Sequence, residues 1–187
     1  KAEAYRVQTL QVITDTVEGR PPGAETSMVK LWWSELDVEL QHLAQVHRIH
    51  LLFGNDDREN GTDGRVRVFV GAKMLDPSGE LVLRYHKIRL VPFGEYVPLQ
   101  PLLTLGGRFA AKLVDQVADF TPGTEHALGR VQGHLVGASI CYEAIFPDLV
   151  RGFAAGGAEM LVNITNDAWY GRSSAPHQHL AMASFRA

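Results

Sequence analysis

Two pairs of short apolar runs, each pair divided by a turn-forming segment, constrain the fold of this chain more than any other feature. Residues 65–75 and 81–85 flank the Pro/Gly turn 76–79, and residues 128–131 and 134–140 flank Gly133. Runs of this length around such turns predict β-hairpins. Because apolar strands alternate here with helical segments, the chain is predicted to be an α/β protein whose helices cover the faces of its sheets.

Helices are predicted from apolar residues at helical spacing. Residues 36–47 repeat apolar side chains in this way and indicate an amphipathic helix. The run 28–33 has β character, so Glu35 is predicted to close a strand and begin that helix. The other predicted elements are helices in 3–17, within 99–118, in 147–155 and in 176–187, and strands in 49–53, ending at Gly54, and in 160–164.

Composition excludes some classes of function. Eighteen Lys and Arg stand against 21 Asp and Glu, a net charge of -3, and no basic cluster of the kind that binds nucleic acid is present. No apolar run reaches the ~18–20 residues that span a bilayer. A single domain over 1–187 is predicted. The chain opens at Lys1 without a signal peptide and stops at Ala187 within a predicted helix, so we expect a piece of a longer protein.

Cys141 is the single cysteine, which rules out a disulfide within the chain. A lone cysteine is usually a small buried apolar residue. This one follows the apolar strand 134–140, and side chains at the carboxyl end of a strand often project into a cleft. A free thiol, with a pKa of about 8.5, is mostly protonated at neutral pH, so a nucleophile here needs a neighbouring base or cation.

Three charged residues are candidates for the base or cation that would activate the Cys141 thiol. Lys87 follows the strand 81–85, although alone it could equally be a solvated surface lysine. Glu95 stands eight positions later between Gly94 and Tyr96, where it could bind backbone amides of its own loop. Glu35 could act as a general base, or it could simply stabilise the amino end of a helix.

Three long motifs in order give these residues a context. Residues 85–98 contain Pro-Phe-Gly-Glu-Tyr-Val-Pro, Cys141 stands in Ile-Cys-Tyr-Glu, and residues 163–171 read Asn-Ile-Thr-Asn-Asp-Ala-Trp-Tyr-Gly. Together with Ala-Pro-His-Gln-His-Leu at 175–180, these motifs resemble those of the apolipoprotein N-acyltransferases, a branch of the nitrilase superfamily. The resemblance covers roughly residues 80–187 and implies an α-β-β-α sandwich, here truncated at both ends.

The resemblance implies a catalytic triad of Glu35, Lys87 and Cys141. Cys141 would be the nucleophile, Glu35 the general base and Lys87 the stabiliser of the oxyanion.

Other residues are implied to support this triad or to bind substrate. Glu95 would orient Lys87 or the substrate amine, and Tyr142 and Glu143 follow the nucleophile in a functionally important pair. Trp169 lines the acyl entrance or is a packed aromatic. No cofactor is implied and no metal is predicted, because His177 and His179 lack a third ligand nearby in sequence.

The implied reaction is acyl transfer at a membrane. A phospholipid would donate an acyl chain to Cys141, and the amine of a diacylglyceryl-cysteine apolipoprotein would accept it. The resemblance places the domain at the bacterial inner membrane, facing the periplasm and anchored by segments that are not in this chain. Two alternatives stay open: a soluble amidohydrolase in which water attacks the same thioester, and an inactive binding module.

Overall fold

The computed structural model describes residues 24–61, 63–99 and 120–186, and for residues 24–34, 168 and 169 it describes the backbone only. The predicted helices in 3–17 and within 99–118 lie outside the described residues, apart from Leu99. The described residues form two compact units. One holds the helix α1 (Ala24–His47) and residues 77–80, and the other holds the remaining described elements. The expectation of one domain over 1–187 stays a prediction.

The first unit is built on the long helix α1. Its carboxyl end is formed by Arg48, whose positive φ of 51° turns the chain, and the backbone N–H of Ile49 donates to the Ala44 carbonyl at 3.1 Å. Ala44 is fully buried. The side-chain amide of Gln45 donates to the Ser78 carbonyl at 2.7 Å, which attaches the 77–80 turn to the helix.

The predicted strand over 28–33 is wrong, and so is the prediction that Glu35 begins a helix. Both regions lie inside α1, and Glu35 is an exposed residue in the helix interior. Residues 24–47 contain neither Gly nor Pro, the residues that most often end a helix. The apolar run therefore continues the helix that was predicted correctly over 36–47.

The second unit begins with an antiparallel sheet of three strands. They are β1 (Leu51–Asn60), β2 (Val66–Leu75) and β3 (Leu81–His86). The hairpin between β2 and β3 confirms the predicted turn at 76–79. The first strand was predicted to end at Gly54, which is wrong: Gly54 pairs with Ala72 in a ladder that runs to Asn60. A glycine lacks a side chain but offers the same backbone donors and acceptors, so the ladder continues through it.

The other sheet contains β4 (Leu128–Val131), β5 (His134–Ile140) and β6 (Met160–Ile164). β4 and β5 form the predicted hairpin, and Gln132 and Gly133 both have positive φ, of 50° and 95°, as a tight type I′ turn requires. β5 and β6 are parallel and are connected through α2 (Pro147–Ala155), which was predicted with these bounds. Two short 3-10 helices, Cys141–Ile145 and Asp167–Tyr170, and the helix α3 (Ala175–Ser184) complete the unit.

Both sheets and α2 contribute to one hydrophobic core. Its buried members are Ala72, Met74, Leu83, Tyr85, Ala138, Ile140, Leu149, Val150 and Phe153. The rings of Tyr85 and Phe153 meet edge to face, with centroids 5.4 Å apart. Tyr85 is near the end of β3 and Ile140 is the end of β5, so this core fixes the points from which Lys87 and Cys141 leave their sheets. The predicted α/β fold is confirmed.

Candidate active site

Cys141 is the residue at which β5 turns into a 3-10 helix. Its φ is +50°, in the left-handed region that residues with a side chain seldom adopt. Such a conformation costs of order 1–3 kcal/mol and persists only where the surroundings impose it. The residue is partly exposed, and it also packs against the hydrophobic core.

Lys87 is buried, with only 1% of its surface exposed. Its backbone N–H donates to the Val70 carbonyl at 2.8 Å, and its carbonyl accepts from the N–H of Gly123 at 2.8 Å, so the main chain is held on both sides. Its ammonium group donates to Oε1 of Glu95 at 2.6 Å. A lysine without a carboxylate partner would be costly to bury, and the contact with Glu95 explains how this one is tolerated.

Glu95 contacts both Lys87 and a backbone amide of its own loop. Its Oε2 accepts the backbone N–H of Val91 at 2.8 Å, while Oε1 accepts from Lys87. The same loop is closed by the N–H of Glu95, which donates to the Val91 carbonyl at 2.9 Å, and by the N–H of Phe120, which donates to the Glu95 carbonyl at 3.0 Å. The carboxylate is therefore aimed at the lysine by its own turn.

Glu143 is completely buried and accepts hydrogen bonds from four groups. Its Oε1 accepts the backbone N–H groups of Ile88 at 2.7 Å and Arg89 at 2.9 Å. Its Oε2 accepts the backbone N–H of Ile140 at 2.8 Å, and the Tyr85 hydroxyl lies 2.8 and 2.9 Å from the two oxygens. With these donors in place, the carboxylate has little capacity left to bind a substrate.

These contacts make Glu143 the connection between two candidate catalytic residues. Ile88 immediately follows Lys87, and Ile140 immediately precedes Cys141, so one carboxylate holds both neighbours. Burial, together with the charge of Glu143, raises the pKa of Tyr85 well above its usual value, so this phenol stays a hydrogen-bond donor. The structure thus brings Lys87, Glu95 and the Cys141 turn into one connected network.

Aromatic side chains lie beside the turn that carries Cys141. Tyr142 meets Phe146 edge to face, with ring centroids 5.2 Å apart, and the Arg89 guanidinium lies over the Phe146 ring at 5.5 Å. Partial burial raises the pKa of Tyr170, and the neighbouring Cys141 raises it further. Tyr170 is therefore a phenol close to Cys141.

Asp56 is a carboxylate near Glu95 that the sequence did not single out. It lies on β1 opposite Val70, and solvent reaches it, but the surrounding protein raises the pKa of its carboxyl. The charge of Arg58 lowers this pKa and the nearby charge of Glu95 raises it.

Two predicted site residues are not placed against this network. Glu35 is in the first unit, and its role as general base stays a prediction. The backbone of Trp169 is in the second 3-10 helix, but its side chain lies outside the described residues, so its contact with substrate also stays a prediction.

A second polar cluster lies on the face of the first sheet that points away from the core. Ligand atoms of Asp57, Glu59 and His86 lie within 4.8 Å of one another, beside a cavity of about 520 Å³. Lys73 and Arg84, however, each lie 3.4 Å from an Asp57 oxygen. Because these cations already neutralise the carboxylate and would repel a metal ion, we assign no metal to this cluster.

A family model described as carbon-nitrogen hydrolase matches residues 33–187, which include Lys87, Glu95 and Cys141. The chain belongs to the carbon-nitrogen hydrolase family. The expected fold agrees with that of a solved structure, a mutant of the amidase from Nesterenkonia sp. AN1 with the acetamide moiety of fluoroacetamide covalently added at its active-site cysteine. It is 22% identical with a TM-score of 0.52, and the match covers 81% of this chain and 48% of the amidase. At this identity the likeness concerns the fold alone.

Within this family, the chain is similar to apolipoprotein N-acyltransferases. It is 47% identical over 123 residues to the enzyme of Geobacter metallireducens, covering 66% of this chain and 23% of the relative. It is 41% identical to that of Brucella suis and 40% identical to that of Pseudomonas aeruginosa, each over 139 residues, covering 73% of this chain and 26% of the relative. The predicted resemblance is confirmed, and the chain spans about a quarter of the length of these relatives.

Proposed function

We propose that this chain carries the catalytic site of an N-acyltransferase in which Cys141 forms a thioester. The observation that supports this most directly is the ion pair between the buried Lys87 and Glu95, which Glu143 connects to the turn of the partly exposed Cys141. The similarity to apolipoprotein N-acyltransferases supports the direction of the chemistry. The proposal includes a single catalytic domain over 1–187.

In the first half of the reaction, the sulfur of Cys141 attacks an ester carbonyl of a phospholipid. The new C–S bond forms a tetrahedral oxyanion, which the Lys87 ammonium stabilises. When the oxyanion collapses, the ester C–O bond breaks and the lysophospholipid alcohol leaves with a proton. Glu35 is proposed to take the proton of the thiol and to supply the one that the leaving group needs.

In the second half, the free α-amine of a diacylglyceryl-cysteine lipoprotein attacks the thioester. The C–N bond forms, the C–S bond breaks, and the amine proton passes to the base, so Cys141 is regenerated. Glu95 holds Lys87 in position through both halves, and Tyr142 and Trp169 are proposed to line the entrance for the acyl chain. A thioester acylates an amine without a metal or an organic cofactor, and the scheme requires neither.

Both proposed substrates are lipids, so the site is proposed to work at a membrane surface. We place it at the periplasmic face of the bacterial inner membrane, attached through the part of the longer relatives that this chain does not match. Among the described helices, none has both the length and the apolar character that crossing a bilayer requires.

The first step is tested by mass spectrometry of the purified protein after incubation with phosphatidylethanolamine micelles. The expected result is a gain of one acyl chain at Cys141 that hydroxylamine removes, and no gain in Cys141→Ser or Cys141→Ala. A protein that stays unmodified while folded would instead favour the binding module.

The second step separates the transferase from the amidohydrolase. The acylated protein is mixed with a synthetic diacylglyceryl-cysteine peptide, and the control is the same peptide with its amine acetylated. We expect the acyl chain on the free amine only. Release of free fatty acid at the same rate with both peptides would show that water is the acceptor.

A further inference from the structure

His179 contacts the nucleophile's main chain from the helix α3. Its side chain is buried, with 8% of the residue exposed. The ring Nε2 lies 2.9 Å from the carbonyl oxygen of Cys141, and the ring Nδ1 lies 2.9 Å from Oδ1 of Asp167. His177, two positions earlier in the same helix, is exposed, so the two histidines do not form a pair.

Both partners of the His179 ring are acceptors. A carbonyl oxygen has no hydrogen to give, so Nε2 donates to Cys141. The hydroxyl of Thr165 donates to Asp167 at 2.6 Å, and this hydrogen bond, together with that of His179, holds the pKa of the Asp167 carboxyl below its usual value. The carboxylate is therefore ionised at neutral pH, and Nδ1 donates to it.

The Cys141 carbonyl is held from a second side as well. The side-chain amide of Asn163 donates to it at 3.2 Å and also donates to the Ser139 hydroxyl at 3.0 Å. Two donors on one carbonyl restrict rotation about the neighbouring bonds, so they supply the constraint that the left-handed φ of Cys141 requires. The hydrogen bond from His179 is the shorter of the two, at 2.9 Å against 3.2 Å.

We propose that Asp167 and His179 are a positioning pair that fixes the main chain of Cys141 and thereby the direction of its sulfur. The role in acyl transfer rests on the proposed function, whereas the effect on the sulfur does not. Neither residue contacts the acyl donor in this assignment. The pair acts through the nucleophile, so its loss slows the attack without weakening the binding of the donor.

Two variants of His179 distinguish the contributions of the hydrogen bonds made by its two ring nitrogens. The amide nitrogen of Gln reaches about as far as Nε2, so His179→Gln retains a donor for the Cys141 carbonyl. The amide of Asn reaches only as far as Nδ1, so His179→Asn retains the contact with Asp167 and loses the carbonyl. His177→Gln is the matched control, an exposed histidine on the same helix.

The readout is the acylation of Cys141 by phosphatidylethanolamine micelles as a function of donor concentration. For His179→Asn we expect a maximal rate about 10²-fold lower, the loss that a misplacement of about 1 Å produces at a reacting group, with an unchanged half-saturating concentration. His179→Gln should recover most of that rate, and His177→Gln should match the unmodified protein. Equal rates in both His179 variants and the unmodified protein would overturn the positioning role.

Alkylation of Cys141 by iodoacetamide tests the direction of the sulfur without an acyl donor. If the unmodified protein takes up no acyl chain, yet alkylation is slower in His179→Asn than in His179→Gln, the proposed function is wrong and the positioning pair stands. If Cys141 is acylated and alkylated at the same rates in the unmodified protein, His179→Asn and His179→Gln, the proposed function stands and the positioning pair does not.

Discussion

Replacing Glu143 by Gln changes one oxygen to an NH₂ group at the center of the network that joins Lys87 to Cys141. The amide keeps one acceptor oxygen, which can still accept from Ile88 and Arg89 if it takes the place of Oε1. The NH₂ group then faces the backbone N–H of Ile140, and that buried donor loses its acceptor.

The expected cost follows from counting these groups. A buried N–H left without an acceptor costs about 1–3 kcal/mol, and the remaining hydrogen bonds lose the part of their strength that came from the charge, about 1 kcal/mol each. Tyr85 offsets part of this because its oxygen can accept from the new amide. We therefore expect Glu143→Gln to lower the free energy of unfolding by about 2–4 kcal/mol.

Urea unfolding followed by fluorescence measures this loss as a shift of the midpoint at constant slope. Glu159→Gln is the matched control, since Glu159 also accepts from a side chain and a backbone N–H, those of His134 and Leu135, but is exposed. The control should have the same urea midpoint as the unmodified protein. An unchanged midpoint in Glu143→Gln would refute the inference that this carboxylate holds together the segments that carry Lys87 and Cys141.

Three further outcomes are expected. Glu95→Gln should lower the free energy of unfolding in urea by about 3 kcal/mol because it leaves a buried ammonium without its counter-charge; an unchanged midpoint would contradict this. Burial opposes ionisation of Asp57, but the hydrogen bond from His86 and the neighbouring cations outweigh it and lower its pKa. Its ionised form therefore stabilises the fold above about pH 4, and that contribution is lost as the pH falls through the lowered value, so Asp57→Asn should flatten the acid side of a stability–pH curve. Finally, a Cβ at Gly137 would lie 3.0 Å from Phe153 atoms, so Gly137→Ala should cost about 1–3 kcal/mol by overpacking, as thermal unfolding would show.

Elements that depend on local pattern could be predicted from the sequence. The hairpin around Gly133 was correct because a two-residue turn of this kind requires positive φ, which glycine adopts without strain. The bounds of α2 and β6 followed from Pro147 at the helix start and the glycines before the strand. The placement of Cys141 at a strand end was correct for the same reason: its position depends on the strand that precedes it.

Features that depend on distant partners could not be predicted. Nothing near Glu143 in sequence indicates that its carboxylate would bind residues 54 and 55 positions away. The contact between His179 and the Cys141 carbonyl joins residues 38 positions apart. The error over 28–33 had another cause, because a short apolar run fits a strand or a buried helix equally well.

The bonding of Glu143 limits how this region can change during evolution. Three of its four donors are main-chain N–H groups, which no substitution other than proline can remove. Mutation can therefore alter this junction through only two side chains, at positions 85 and 143. A phenylalanine at 85 would delete a single donor, whereas most replacements at 143 would leave three backbone N–H groups without an acceptor. Substitutions should therefore accumulate far more slowly at the glutamate than at the tyrosine.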